Sequence, residues 1–197
     1  MLSVKYVVSA VLACAPFLCR AQAPDTAFVP ADDPNIVYMG RTSQRTPGCV
    51  RFTYPGVSIF ADFEGTSLKM KMKPGSGDFM VEVDGGLPFR IHFGENDSVM
   101  TLAEGLPDGT HSARLMYAIE GHEFRPAFYG FYLDGGRKLA AAPQLPRRRI
   151  EFIGNSITCG FGIESEDRDA PFAYGTENHY YTYAALTARA LQSLHLV

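Results

Sequence analysis

The chain has 197 residues, of which 46% are hydrophobic and 20% charged, and its formal net charge is −3. This composition is that of an ordinary globular protein and excludes a low-complexity or disordered chain. Because the charge is mildly acidic and no basic stripe is present, nucleic acid is excluded as the expected partner. The one basic cluster, at residues 147–149, is interpreted as a solvated lead-in to a strand.

The first 21 residues predict a secretory signal peptide. Lys5 precedes an apolar run that is too short to span a bilayer. We expect cleavage after Ala21, because cleavage after Ala23 would place Pro24 beside the scissile bond. A lipoprotein signal ending at Cys14 is the less favoured alternative, since little apolar sequence precedes that cysteine. The expected product is secreted or periplasmic and has no membrane contact after signal cleavage.

Residues 30–140 predict an all-β domain, a sandwich of jelly-roll type. About eight short apolar segments are separated by turns, and no helical period intervenes. In "SLKMKMK" the apolar residues alternate with lysines, as a half-buried antiparallel strand requires. "DFMVEVDGGLPFRIHF" predicts a hairpin that turns at Asp84-Gly85-Gly86.

Residues 141–149 predict a linker, and residues 150–197 predict the beginning of an α/β domain. The strand "IEFI" enters a glycine turn, and "YYTYAALTARALQSL" has helical spacing, with Thr176 or Asn178 as its expected cap. The side of this helix expected to be apolar consists of Tyr180, Tyr183, Ala184, Thr187, Leu191 and Leu194. Because a domain needs on the order of 100–150 residues, we expect the chain to be a fragment that ends inside this second domain.

Ser156 is the candidate reacting residue, because it stands where the strand passes into the glycine turn. A hydroxyl beside a helix N-terminus is well placed to attack a carbonyl, and the neighbouring N–H groups can stabilise an oxyanion. Gly154 is expected to let a substrate approach closely. A nucleophilic serine also needs a base. By spacing alone, the same turn could equally be a tight N-cap, in which Asn155 bonds its own backbone.

The remaining polar residues are interpreted as structural or solvated. The five histidines that could serve as a base are expected to be surface or structural residues, and they are His92, His111, His122, His179 and His195. Cys159 is expected to be a small buried filler, and its pairing with Cys49 stays open. The Cys/His spacing of a zinc site is absent after the signal segment. The acidic run of Glu164, Glu166, Asp167 and Asp169 is expected to be a solvated loop.

Longer strings carry a family resemblance. "FIGNSITCGFG" resembles the first block of SGNH (GDSL-like) hydrolases, in which the serine is the nucleophile, and its Asn155 is similar to the variant in carbohydrate esterase family 2. "YPGVSIFADFEGTSLKMKM" and "FYGFYLDGG" resemble that family's N-terminal jelly-roll domain, and "ENHYYTYAALTARAL" resembles its helix after the nucleophile. The resemblance covers nearly the whole mature chain.

The resemblance implies deacetylation of plant cell-wall polysaccharide, usually xylan and alternatively mannan. Ser156 would attack the acetyl carbonyl, a histidine would act as base, and the Ser156 N–H would be one oxyanion donor. The mechanism implies neither a metal nor a cofactor. The family's histidine and its other oxyanion donors belong to later sequence blocks that are not found by Val197. We therefore expect this chain to be inactive as it stands, and its substrate-binding residues remain unassigned.

Two alternatives stay open at this point. The β-sandwich could be a non-catalytic carbohydrate-binding module, because jelly rolls often serve that purpose. The protein could also be another SGNH-type esterase or a lipase, since a fold alone does not identify the ester.

Overall fold

The computed structural model describes residues 25–197. The predicted signal peptide and Cys14 lie outside the described residues. Among the helices of the described part, none has the length and apolar character needed to cross a membrane.

Residues 26–134 form two antiparallel sheets. The first sheet has the order β3-β4-β11-β6-β9, with β1 also paired to β11, and the second has the order β2-β5-β10-β7-β8. The strands are β1 (Thr26–Pro30), β2 (Val37–Met39), β3 (Ser43–Thr46), β4 (Cys49–Arg51), β5 (Ser58–Gly65), β6 (Leu68–Met72), β7 (Gly77–Val83), β8 (Phe89–Phe93), β9 (Val99–Ala103), β10 (Gly109–Tyr117) and β11 (Ala127–Asp134). The predicted β-sandwich is confirmed.

The alternation in β6 places its residues as predicted. Leu68, Met70 and Met72 are fully buried, whereas Lys69 and Lys71 lie on the outer face. Successive side chains of a strand point to opposite sides, so one side of β6 faces the core and the other faces water.

The predicted hairpin is also confirmed. Strands β7 and β8 pair antiparallel, and both Asp84 and Gly85 have positive φ. Positive φ at two consecutive turn residues matches the right-handed twist of the paired strands.

The two sheets share a single core that is rich in aromatic residues. Phe52, Phe79 and Tyr117 form a triangle with ring centroids 5.1–6.1 Å apart and with tilted or edge-on geometry. Phe128 and Phe131 of β11 are both fully buried although they are three positions apart. A bulge between Phe128 and Gly130 explains this, because it inserts one residue into the alternation.

Gly130 permits this bulge, and its replacement is expected to be costly. Its φ is +138°, and a Cβ atom there would lie 2.0 Å from the carbonyl oxygen of Val29 on β1. Gly130→Ala is expected to lower the free energy of unfolding by about 2–3 kcal/mol, since both the backbone conformation and the pairing with β1 would be strained. Urea unfolding would measure this change. Gly136→Ala is the control, because its φ of +76° is also positive but its Cβ would meet open space. Equal losses in the two variants would contradict the steric explanation.

Residues 149–196 form a β-α-β unit. It contains β12 (Arg149–Glu151), α1 (Ser156–Cys159), two 3-10 turns (Tyr174–Thr176 and His179–Tyr181), α2 (Tyr183–Ala190) and β13 (Leu194–Leu196). Strands β12 and β13 pair in parallel, with Ile150 opposite His195. A parallel pair requires a crossover connection, which the helices provide. The predicted strand, glycine turn and helix are therefore confirmed as elements.

The predicted apolar face of α2 is wrong in part. Ala184, Ala185 and Ala188 form the buried side, whereas Tyr183 and Leu191 are 49% and 47% exposed and Thr187 is also exposed. The predicted face follows helical spacing, and its Ala184 is buried as expected. Ala185 and Ala188, which lie outside the predicted face, complete the buried side, because close approach of a helix to its neighbours favours small residues.

The predicted caps of α2 also need correction. The first turn of the expected helix is a separate 3-10 turn, which Asn178 caps by accepting from the Tyr180 N–H at 3.1 Å. Helix α2 begins later and is capped by Thr182, whose Oγ1 accepts from the Ala185 N–H at 3.3 Å. Thr176 caps neither element, because it lies within the earlier 3-10 turn.

Residues 177–180 attach the β-α-β unit to the sandwich. The His179 N–H donates to the carbonyl of Ala118 at 2.7 Å, and the Tyr180 hydroxyl donates to Glu82 of β7 at 2.9 Å. The Glu120 N–H donates to the Glu177 carboxylate at 3.2 Å. This segment leads directly into α2, so the sandwich determines where that helix starts.

Arg90 of β8 makes a second attachment. Its guanidinium donates to Asp78 and to Glu164, each at 2.6 Å, and to the carbonyl oxygens of Tyr174 and Gly175 at 2.9 and 3.0 Å. Glu164 is exposed, as expected for the acidic run, but it also forms this ion pair with the sandwich. A guanidinium has five donors in a fixed fork, which allows one side chain to join several groups.

Candidate active site

Ser156 lies at the surface, on the turn that follows β12. It is the first residue of α1, and the N-cap is Asn155 rather than the serine. Ser156 is exposed, and its hydroxyl makes no hydrogen bond within residues 25–197. Its Oγ atom is therefore free to contact a substrate.

Asn155 organises the backbone around the serine. Its side-chain oxygen accepts from the Ile157 N–H at 3.1 Å, and its carbonyl accepts from the Thr158 N–H at 2.9 Å. The predicted bond of Asn155 to its own backbone is confirmed. The Ser156 N–H has no partner among the described residues, so it is available to an oxyanion.

Gly154 is required by its neighbours inside the protein. A Cβ atom at this position would lie 1.9 Å from Oγ1 of Thr158, whose hydroxyl is 2.9 Å from the Tyr183 hydroxyl. The absence of a side chain at Gly154 thus lets the turn fold back on α1. Access for a substrate, the reason expected from the sequence, stays a prediction.

Two histidines meet behind the serine turn. His179 Nδ1 donates to the Thr158 carbonyl at 2.8 Å, and its Nε2 is 2.9 Å from Nε2 of His195. Because a carbonyl can only accept, the neutral His179 ring carries its proton on Nδ1 and its Nε2 must accept from His195. A chain of hydrogen bonds therefore runs from His195 through His179 to the Thr158 carbonyl of α1.

Both rings are buried. Of the two expected alternatives, a surface or a structural residue, the structural one holds for this pair. His179 is fully buried and His195 is 3% exposed. Burial and the adjacent His195 lower the pKa of His179 to about 3, and burial lowers the pKa of His195 to about 4. The sequence carried no signal for this contact, since 16 positions separate the rings.

A cleft of about 490 Å³ contains the exposed serine. One side is the serine turn, and the other is built from sandwich loops that precede β3, β5 and β11. The residues that line it are Arg41, Thr53, Tyr54, Pro55, Glu120, His122, Glu151, Phe152, Ile153, Gly154, Asn155, Ser156, Thr158, Cys159 and Val197. Among the described histidines, His122 alone lines this cleft, and it makes no hydrogen bond to Ser156.

Cys159 lies beside the serine but is not a competing nucleophile. The thiol is half-buried, and burial together with Glu120 raises its pKa to about 12. Because the thiolate is the reactive form, this thiol is inert at neutral pH. Cys49 and Cys159 are both unpaired, so the open question of a disulfide is answered in the negative.

Glu177 is a carboxyl group inside the interface between the sandwich and the β-α-β unit. It is fully buried, and one of its oxygens has no hydrogen-bond partner in the described part of the chain. Burial raises its pKa to about 7, with repulsion from Glu120 and Asp78 added and Arg90 opposing. The folded protein therefore retains this proton at pH values where the unfolded chain has lost it.

Glu177→Gln is expected to stabilise the protein in alkaline buffer. A carboxyl pKa raised from 4.5 to about 7 makes folding progressively less favourable between those pH values, by up to about 3 kcal/mol. Glutamine removes the charge, so its melting temperature should exceed that of wild type at pH 8 and approach it at pH 4.5. The exposed Glu123→Gln is the matched control. A lower melting temperature for Glu177→Gln at pH 8 would contradict a protonated Glu177.

Comparison with known proteins agrees with this architecture. A family model described as "Carbohydrate esterase 2 N-terminal" matches residues 38–143, which is the greater part of the sandwich. The chain is 35% identical over 174 residues to "Cellulase/esterase CelE" of Acetivibrio thermocellus and 30% identical over 173 residues to an "Acetylxylan esterase / glucomannan deacetylase" of Cellvibrio japonicus. These alignments cover 87% and 85% of this chain, but only 21% and 47% of the relatives.

Solved structures of family two carbohydrate esterases also superpose on this chain. A family two carbohydrate esterase from Cellvibrio japonicus superposes with a TM-score of 0.77 at 28% identity, covering 87% of this chain and 51% of that one. A family two carbohydrate esterase from Clostridium thermocellum, in complex with cellohexaose, superposes with a TM-score of 0.73 at 34% identity, covering 82% and 50%.

The fold thus defines a two-sheet β-sandwich followed by a parallel β-α-β unit. The chain belongs to carbohydrate esterase family 2. It spans about half the length of the solved relatives.

Proposed function

We propose that this chain is the N-terminal part of a secreted carbohydrate O-acetyl esterase that uses Ser156 as its nucleophile. The sandwich is taken as a jelly roll, and residues 150–197 as the start of an SGNH hydrolase domain. One observation carries the proposal: an exposed serine with a free hydroxyl and a free amide opens into a cleft, in a chain of an esterase family.

The proposed chemistry is acyl transfer in two steps. Ser156 Oγ attacks the acetyl carbonyl carbon while a histidine takes its proton, and the Ser156 N–H stabilises the oxyanion. The carbon–oxygen bond to the sugar then breaks, and the sugar oxygen receives the proton from the histidine. Water hydrolyses the acetyl-enzyme by the same route, releasing acetate and restoring the serine. Neither a metal nor a cofactor is needed.

The histidine and the remaining oxyanion donors are proposed to come from the part of the relatives that this chain does not span. Within residues 25–197 no histidine bonds Ser156, and the buried His179 and His195 already have structural partners. The apolar exposure around the serine also supports this view. Ile157, which is not among the residues lining the cleft, is 69% exposed, and an apolar side chain so exposed suits a surface that another part of the protein covers.

The proposed substrate is acetylated plant cell-wall polysaccharide, either xylan or mannan. The Cellvibrio japonicus relative is named an acetylxylan esterase and glucomannan deacetylase, and a second family structure holds cellohexaose. Secretion or periplasmic export is proposed from the N-terminal sequence, because a polymeric cell-wall substrate is met outside the cytoplasm.

A substrate panel tests the proposal. The protein expressed from its complete coding sequence should release acetate from acetylated xylan or acetylated glucomannan, and little acid from a long-chain ester. Preference for the long-chain ester would instead identify a lipase-type enzyme. Binding of polysaccharide without acid release would favour a non-catalytic carbohydrate-binding module. Either result would overturn the proposed activity.

The chain that ends at Val197 is expected to release no acetate and to resist labelling of Ser156 by a fluorophosphonate probe. The reason is that a serine hydroxyl without a base is a weak nucleophile at neutral pH. Mass spectrometry of the probe-treated chain measures the label, and the protein from the complete coding sequence is the positive control. Rapid labelling of Ser156 together with ester turnover in the shorter chain would show that a base is already present.

A further inference from the structure

Six of the fifteen residues that line the cleft around Ser156 belong to the β-sandwich. Thr53, Tyr54 and Pro55 come from the connection between β4 and β5, and Glu120 and His122 come from the connection between β10 and β11. These two loops stand opposite the serine turn across the cleft of about 490 Å³. A substrate that reaches Ser156 must therefore pass beside the sandwich.

Tyr54 presents an aromatic ring in this cleft. It is 44% exposed, which is high for a large aromatic residue. The guanidinium of Arg41 lies over the ring, 5.1 Å from its centroid, and is in turn 3.5 Å from the Glu151 carboxylate of β12. Arg41 thus links the Tyr54 ring to β12, the strand that leads to Ser156.

Polar groups lie beside the ring. Glu120 is partly exposed, and the His122 side chain is 67% exposed. An aromatic ring can cover the C–H face of a sugar, while carboxylate and imidazole groups can bond its hydroxyls. A small-molecule site combines an apolar surface with a few polar groups in this way.

We propose that the sandwich wall of the cleft, defined by Tyr54, Glu120 and His122, is a sugar-binding subsite. Tyr54 packs against a pyranose ring of the polysaccharide, and Glu120 and His122 bond its hydroxyl groups. The ligand class is a neutral β-linked oligosaccharide. The subsite rests on the proposed function in one respect, namely that the bound polysaccharide presents its acetyl ester to Ser156. Sugar binding itself does not depend on catalysis.

Tyr54→Leu in the protein from the complete coding sequence tests this inference. We expect kcat/KM for acetylated xylan to fall about 10-fold, and that for a small aryl acetate to fall no more than about 2-fold, because the aryl ester does not reach the wall. Tyr132→Leu is the matched control. Tyr132 is a partly exposed ring on β11, outside the cleft, with Lys71 5.9 Å from its centroid. Equal losses for Tyr54→Leu and Tyr132→Leu would overturn the subsite.

A binding measurement separates this inference from the proposed function. The Ser156→Ala protein is titrated calorimetrically with unesterified xylohexaose, with and without Tyr54→Leu. A dissociation constant raised about 10-fold by Tyr54→Leu supports the subsite, even if the wild-type enzyme proves to release no acetate. Binding that is unaffected by Tyr54→Leu overturns the subsite and leaves the esterase proposal in place.

Discussion

Ser156→Ala, in the protein from the complete coding sequence, is expected to lower kcat for acetate release at least about 10³-fold. Removing a serine nucleophile eliminates the acyl-enzyme route and leaves only binding and oxyanion stabilisation. Acetate release from acetylated xylan measures the loss. Because the Ser156 hydroxyl makes no hydrogen bond in the described chain, the variant should fold normally, with a free energy of unfolding within about 0.5 kcal/mol of wild type.

Ser165→Ala is the matched control for this substitution. Ser165 lies in the loop after α1 and donates its hydroxyl to the Asp167 carbonyl at 2.8 Å, outside the residues that line the cleft. Its acetate release should equal that of wild type. Undiminished release by Ser156→Ala, with the control also active, would mean that another group performs the chemistry.

Acidification from pH 7 to pH 4 is expected to destabilise the β-α-β unit through the His179–His195 pair, which lies inside it. The folded pKa values, about 3 and about 4, lie below the ordinary value of 6.5. Between pH 6.5 and pH 4 the two imidazole rings are largely protonated in the unfolded chain but largely neutral in the folded protein. The two rings therefore cost no stability above pH 6.5. On acidification to pH 4, the free energy of unfolding falls by about 3 kcal/mol for each ring.

Other groups nearby modify this pH profile. Arg189 adds to the lowering of both histidine pKa values. Glu177 acts in the opposite direction, because its raised pKa favours the folded state in acid. The net acid loss is thus smaller than the sum of the two rings, and comparison between variants isolates the histidine contribution.

His195→Gln provides that comparison. A glutamine amide can donate to His179 Nε2 as His195 does, but it does not titrate. The variant should lose about 3 kcal/mol less than wild type between pH 7 and pH 4, measured by urea unfolding at each pH. His122→Gln is the matched control, because the His122 side chain is exposed. An acid profile of His195→Gln identical to that of wild type would show that the pair is not the acid-sensitive element.

Local chemistry explains which parts of the fold the sequence predicted. The alternation of Leu68, Met70 and Met72 with lysines specifies which side of β6 faces the core, because the side-chain period of a strand is two. The Asp84-Gly85 pair specifies a hairpin, since few other residues accept positive φ. Asn155 and Ser156 likewise form a turn whose bonds run between near neighbours.

Local sequence patterns did not predict the full apolar face of α2 or the contact between His179 and His195. The sequence predicts that the helix begins at Tyr180, yet Tyr180 and Tyr181 belong to the 3-10 turn His179–Tyr181, whose His179 N–H donates to Ala118 of the sandwich. Helical spacing predicts Tyr183, Thr187 and Leu191 beside Ala184 on the buried face, but close packing of α2 buries Ala185 and Ala188 there instead.

From its sequence alone, this protein is a β-sandwich followed by a strand, a glycine turn with an exposed serine, and a helix, because each of these depends on neighbouring residues. Tertiary structure alone decided that His179 meets His195, that Arg90 holds Glu164, and that Tyr54 stands across the cleft from Ser156. Those contacts join positions from 16 to 102 residues apart, and no local period or turn preference encodes them.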